Sequence, residues 1–338
     1  MSQTNTAKRR SLRNTTAWKV SVLLAFAVAV AGGFLVSNSV GATKIAIPDI
    51  LKAIFVDREG TLRQILWNIR VPRTIVAMLT GLNLALSGVI LQGVMRNPLA
   101  DPHIIGISSG AGLAGVSILI LFPHLTYLVP PVAFAGAMAA AVLIYILAWK
   151  GGIQPVRMIL AGVAVSSFLG AGISALMVFY SDRVQGALMF MTGGLAAKSW
   201  PHVWILLPYT LLGGIASLVI SEKLNILALG DDVARGVGLR VEAARLLFTA
   251  IAALLAASAV CVAGLLGFVG LVVPHTARLL IGSNHKYLIP ASALLGAAVV
   301  TFSDTLARTL FSPREIPVGV VMAVLGAPFF LYLLRGEK

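Results

Sequence analysis

From Ala17 to Val36 the sequence runs through an apolar stretch interrupted by a single charge, Lys19. Its length matches the roughly 20 residues that a helix needs to cross a bilayer, and exceeds the about 7–15 of a signal-peptide core. We therefore read it as an uncleaved first span. Further apolar runs, bounded by charge, Pro or Gly, centre near Leu84, Leu113, Ala139, Phe168, Leu211, Leu254, Val273, Leu294 and Val324. The run near Val273 is short and interrupted by Pro274. A backbone in lipid must satisfy its own hydrogen bonds, so these runs predict helices. The expectation is an all-α polytopic membrane protein of about ten spans, forming a single unit over residues 1–338.

Charge supports this. Only 11% of residues are charged and 58% are hydrophobic, with a mean hydropathy of +0.94. A soluble domain carries roughly 25% charged residues to solvate its surface. The net charge of +14 would otherwise suggest nucleic acid, but the basic residues sit in short clusters beside apolar runs. Lys8, Arg9, Arg10 and Arg13 form one cluster; Arg235, Arg240 and Arg245 form another. Such clusters orient spans, and no nucleic-acid partner is expected. With residues 1–16 as a cytoplasmic tail, Met95–Gly106, Lys150–Met158, Ser221–Arg245, Gly282–Tyr287 and the C-terminus also fall inside. Thr43–Arg70, Phe122–Pro131, Ser181–Pro201 and Leu306–Pro317 fall outside, and bring Arg63, Arg70, Arg73, Arg308 and Arg314 with them.

Several motifs carry no chemistry in this context. Gly110, Gly112 and Gly115 spell the dinucleotide fingerprint, but inside an apolar span and without the acid about 20 residues later, so close helix packing is the better reading. The Gly193-Gly194…Lys198-Ser199 segment lacks the glycine that a P-loop needs before its lysine. The five histidines have no partner at metal-ligand spacing, and Cys261 is alone in an apolar run. Neither a resident metal nor a cofactor nor an enzyme activity is expected. A weak echo between Pro102-His103 and Pro274-His275 fits two halves of opposite orientation, as in inverted transporter repeats.

Polar residues placed against lipid are informative because they are costly there. Gln92, Arg96, Asn97 and Asp101 follow directly on a span. Asp304 lies in an apolar run with Arg308 four residues on, so the two either pair with each other or serve function. The segment 221–245 mixes leucines with charges, and Gly230 and Gly238 divide it. It reads as short amphipathic helices lying against a partner or resting on headgroups.

The run Arg70-Val-Pro-Arg73 through Gly81, Ser87-Gly88 and Gln92 to Arg96-Asn-Pro-Leu-Ala-Asp101-Pro resembles the FecCD/BtuC-like permeases. So do Leu160-Ala-Gly-Val163, Leu229-Gly230 with Ala234, Gly267-Phe-Val-Gly-Leu-Val-Val-Pro-His275 with Arg278, Asp304-x-x-Ala-Arg308, Glu315-Ile-Pro-Val-Gly319 and Gly326-Ala-Pro-Phe329. The resemblance covers nearly the whole chain, in the family's order. Two departures are Val237-Gly238, where the family often has Leu-Gly, and Phe190, where it often has Trp.

The resemblance implies a permease subunit of an ABC importer in a bacterial cytoplasmic membrane. It would work beside a second permease copy, two cytoplasmic ATPase subunits and an extracytoplasmic substrate-binding protein. Arg70, Arg73 and Arg308 match arginines that dock the binding protein. Leu229, Gly230, Asp231, Ala234 and Gly238 match the helices that couple to the ATPase. Phe168, Phe190, Gly193 and Gly194 fall on the pathway. The expected cargo is an iron chelate, foremost a ferric siderophore, with heme or cobalamin as alternatives. An ion-coupled secondary transporter is the rival class, with Asp304 as its candidate relay acid.

Overall fold

The computed structural model describes residues 15–336 apart from 42, 56–58, 104, 105, 151 and 153. Most of the N-terminal tail, with its basic cluster, lies outside these. Among the described residues the regular elements are all helical. In chain order the helices are α1 (Thr16–Ser39), α2 (Ile47–Phe55), α3 (Thr61–Met95), α4 (Ile107–Leu121), α5 (Val129–Ala148), α6 (Pro155–Phe179) and α7 (Val184–Thr192). They continue as α8 (Trp200–Val219), α9 (Ser221–Ala228), α10 (Asp231–Gly236), α11 (Val241–Ala263), α12 (Val269–Ile281), α13 (His285–Thr309) and α14 (Val318–Gly336). Seven helices are long and apolar enough to cross a membrane, and α4, α12 and α14 are shorter apolar helices. Each of the ten sequence centres falls in one of these.

The spans divide by what surrounds them. In α3 and α11, 78% and 72% of the apolar stretch is buried in protein, against 17% in α1 and α6. The outer helices present Leu24, Val28, Val178, Phe179 and Val219 outward. Lipid can solvate such faces and water cannot. The inner helices pack through small residues, because apolar area alone gives no drive for association in lipid. Gly81 of α3 lies against the Gly296 carbonyl of α13, and Gly88 against the Gly270 carbonyl of α12, with no room for a Cβ at either crossing. Gly110 of α4 meets Gly136 of α5 in the same way, the packing role read from its sequence. Buried hydroxyls and amides tie α3 to α11: Asn83 Nδ2 donates to Ser258 Oγ (3.1 Å) and Ser87 Oγ to the Ala252 carbonyl (2.7 Å).

Side-chain contacts gather the connecting segments at two ends. At one end Trp18 Nε1 donates to the Leu280 carbonyl (2.9 Å), Arg96 meets Asp231 (3.0 Å) and Asn225 meets Asn284 (3.0 Å). At the other, Arg73 meets Asp304 (2.9 Å) and Trp200 Nε1 donates to the Trp67 carbonyl (2.7 Å). These two groupings are those that the alternation of spans demands. One boundary moves: α11 begins at Val241, so Arg245 belongs to a span rather than to the 221–245 segment. It is buried there at 2% exposure because Asp231 supplies its counter-charge at 2.8 Å.

Candidate functional site

Near the start of α3 the helix widens into a π turn at Leu66–Arg70 before α-geometry resumes at Val71. Such turns re-aim side chains and occur often at functional sites. Arg70 points inward, buried, and donates to the carbonyls of Asn38 (2.7 Å) and Thr43 and to Thr43 Oγ1 (3.0 Å). Arg73, one turn later, makes a forked pair with Asp304: Nε to Oδ2 at 3.0 Å and Nη2 to Oδ1 at 2.9 Å. Its remaining nitrogen, Nη1, reaches Glu315 Oε2 at 2.9 Å. Arg308 donates to the Ser37 carbonyl and to Ser37 Oγ (2.9 Å), with Nε 3.9 Å from Asp304. The i,i+4 pair read from the sequence is thus the weaker contact. The planar guanidinium of Arg73 matches the carboxylate in two parallel bonds, which Arg308 on the same helix does not. The three arginines are brought together at one end, and within the isolated chain all three are mostly withdrawn from solvent.

Behind this network three breaks in the helices meet. The carbonyl of Phe190, at the end of α7, accepts from Leu265 N–H (3.0 Å), Gly194 N–H donates to the Ala263 carbonyl (2.8 Å), and Gly319 N–H to the Gly193 carbonyl (3.1 Å). Gly193 and Gly264 adopt φ of 72° and 76°, a region that side chains disfavour, and Gly319 lies on the Thr192 carbonyl with no space for a Cβ. The Phe190 ring lies against Gly115 of α4. A cavity of about 300 Å³ opens beside this crossing, lined among others by Phe190, Gly194, Lys198, His202, Arg73 and Glu315. A second, of about 500 Å³, lies beneath it between Met191, Phe268, Val320 and Asp101. Burial raises the Asp101 carboxyl above the usual carboxylate range, although its Oδ1 accepts from His103 N–H at 2.7 Å. Of the pathway candidates, Phe190, Gly193 and Gly194 come together here. Phe168 does not: it stands 77% exposed on α6.

At the opposite end, α9 and α10 form a bent pair broken at Gly230 (φ 114°) and closed at Gly238 (φ 85°), the division read from those glycines. Ala234 is fully buried, while Leu229, Val233 and Val237 are 69%, 49% and 64% exposed. Val233 and the exposure of Val237 are not legible in the sequence, where alternation with charges gives no clear face. Asp231 joins Arg96, just past α3, to Arg245 of α11. Asn225 Oδ1 accepts from the backbone N–H of His285 (2.8 Å) and Asn225 Nδ2 donates to Asn284 Oδ1 (3.0 Å), at the start of α13. Three spans are therefore gripped by one short surface element.

The sequence matches the model of the FecCD transport family over residues 25–336. The chain belongs to the FecCD transport family. Two relatives from Bacillus subtilis (strain 168) are permease proteins of Fe(3+)-citrate import systems. YfmE is 42% identical, with 90% of this chain and 91% of YfmE covered. YfmD is 38% identical, with 98% of each covered. A solved structure described as an inward-facing conformation of a putative metal-chelate type ABC transporter superposes with a TM-score of 0.84 at 28% identity, covering 94% of this chain and 99% of that one. As a FecCD member with seven candidate spans, the protein is a multi-pass membrane permease.

Proposed function

We propose that this FecCD permease imports an iron(III) chelate, foremost a ferric siderophore, by alternating access driven by ATP hydrolysis on separate ATPase chains. The observation that carries this is the α9–α10 element: exposed Leu229, Val233 and Val237 on a short surface that is tied by Asp231 and Asn225 to α3, α11 and α13. A surface that is apolar outside and charge-anchored inside suits a partner that pushes. Two ATPase subunits would seat there, one beneath each of two permease copies, and their closure would rock the spans between two states. Heme and cobalamin stay as alternative cargoes. The secondary-transporter reading is disfavoured, since Asp304 is held in a forked pair by Arg73 rather than free to relay protons.

Orientation follows from the basic residues around α9–α10, which by the positive-inside rule belong in the cytoplasm. The arginine end then faces the binding protein. Arg73 is the member of the trio with a replaceable partner: Glu315 is 43% exposed, and an acidic residue of the binding protein can take its place. Arg70 and Arg308 would hold the surface from beneath.

The test is uptake of radiolabelled ferric siderophore into proteoliposomes holding permease, ATPase and binding protein. ATP-dependent uptake by wild type supports the importer, and its collapse in Arg73→Glu, with the variant inserted at the wild-type level and basal ATPase retained, supports docking. Uptake of heme or cobalamin alone corrects the cargo; uptake on an ion gradient without the ATPase overturns the mechanism.

A further inference from the structure

Among the described residues at this end, Lys198 is the lysine that lines the 300 Å³ cavity, and it stands outside the ion-pair network. No carboxylate or carbonyl among the described residues lies within ion-pair or hydrogen-bond distance of its ammonium. Of the two acids on the same wall, Asp304 is forked by Arg73 and backed by Arg308, and Glu315 gives one oxygen, Oε2, to the third Arg73 nitrogen. Cys261, also on the wall, donates its thiol to the Ser258 carbonyl (3.1 Å). Partial burial pushes the Lys198 ammonium below its usual range.

His202 adds a second donor. Its Nδ1 accepts from Ser199 N–H at 3.2 Å, which places the ring proton on Nε2, and that N–H has no partner among the described residues. Both groups stand at the N-terminal end of α8, twenty residues long, where the helix dipole favours negative charge. The cavity thus sets two donors, Lys198 Nζ and His202 Nε2–H, on a wall whose two acids are each bonded to Arg73, and its volume is at the low end of those that hold small molecules.

We infer that this cavity is a subsite for an anionic, oxygen-rich group, a carboxylate arm of an iron(III) chelate, bound by Lys198 Nζ and His202 Nε2–H. The inference rests on the importer reading, and selects within it a negatively charged chelate over an uncharged one. It agrees with the Fe(3+)-citrate systems of the two similar permeases, without depending on them.

The experiment is calorimetric titration of the purified, full-length permease in lipid nanodiscs, without ATPase or binding protein, using ferric citrate and an uncharged ferric trihydroxamate as probes. Wild type should bind ferric citrate, Lys198→Met should weaken it by at least about tenfold, the worth of one charge-assisted hydrogen bond, and Lys198→Arg should stay within a few-fold of wild type. Trihydroxamate affinity should be the same in wild type and Lys198→Met. No binding of ferric citrate by wild type, unchanged affinity in Lys198→Met, equal loss for both probes, or an Arg variant as weak as the Met variant would each overturn the subsite. Because nothing is transported in this assay, its failure leaves the importer standing. Conversely, intact binding with no ATP-driven uptake would sink the importer and leave the subsite.

Discussion

Arg73 lies between two carboxylates of unequal exposure, Asp304 at 2% and Glu315 at 43%, and this asymmetry separates its structural from its docking role. Removing one partner of a buried pair typically costs about 3–5 kcal/mol, because the other charge is left uncompensated. Arg73→Ala should therefore lower the thermal unfolding midpoint in detergent, and adding Asp304→Asn should recover part of the loss. A double mutant no more stable than Arg73→Ala would show that Asp304 is not the group left stranded. Glu315→Gln should behave differently, costing little stability, since exposed pairs contribute about 0–1 kcal/mol. It should instead tighten binding-protein docking several-fold in a surface-plasmon titration by removing the competitor for Arg73. The arginines were legible in the sequence because charge outside the expected orientation stands out. Their partners were not: spacing offers Asp304 only Arg308 four residues on, whereas the preferred partner lies 231 positions away.

At the scale of elements, the crossings of α3 with α12 and α13 and the grip of α9 on α13 make separate claims. Gly81→Ala and Gly88→Ala each put a methyl into a backbone carbonyl, so each should cost about 1–3 kcal/mol, the usual range for overpacking. Gly214→Ala, on a helix face with nothing within 4 Å, should be neutral or slightly stabilising in the same melts. Equal behaviour of all three would remove close packing as the reason for these glycines. Asn225→Ala cuts the hydrogen bonds from α9 to Asn284 Oδ1 and to the backbone N–H and Nδ1 of His285 at the start of α13, while leaving the exposed leucine and valines in place. The expected phenotype is uptake reduced about tenfold or more with ATPase turnover retained, since a lost coupling of a few hydrogen bonds is of that size. Parallel loss of both activities would mean that Asn225 merely holds the fold. The helices themselves were readable from apolar length, and the breaks in α9–α10 from glycine. The convergence of breaks at Gly193, Gly264 and Gly319 was not, because backbone-to-backbone bonds leave no pattern in side-chain type.

At the scale of the whole molecule, contacts sort the loops into two ends, and charge indicates which of them faces the cytoplasm. Basic residues occur at both ends: Lys150, Arg157, Lys223, Arg235, Arg240 and Lys286 flank the α9–α10 end, and the run Lys8, Arg9, Arg10 and Arg13 precedes α1 in sequence. Lys44, Lys52, Arg63, Arg183, Lys198 and Arg314 join the arginine trio at the other end. Moving such clusters across the bilayer is disfavoured, so the α9–α10 end should be cytoplasmic. The arginines at the opposite end do not weigh equally, because Arg70, Arg73 and Arg308 are already bound to carbonyls or carboxylates within the fold. Single cysteines can decide it once Cys261 is replaced by serine, a conservative change at a buried site. Tyr127→Cys and Val237→Cys sit at opposite ends, 70% and 64% exposed. A membrane-impermeant maleimide should label Tyr127→Cys in intact cells, or in spheroplasts if an outer membrane is present, and Val237→Cys only after the cytoplasmic membrane is opened. The reverse pattern would turn the permease over, and would put Leu229, Val233 and Val237 out of reach of any cytoplasmic ATPase. Labelling of Val237→Cys from the inside should in addition fall when ATPase is bound, because the apolar patch it occupies is then covered. Protection from the inside therefore tests orientation and coupling with the same residue.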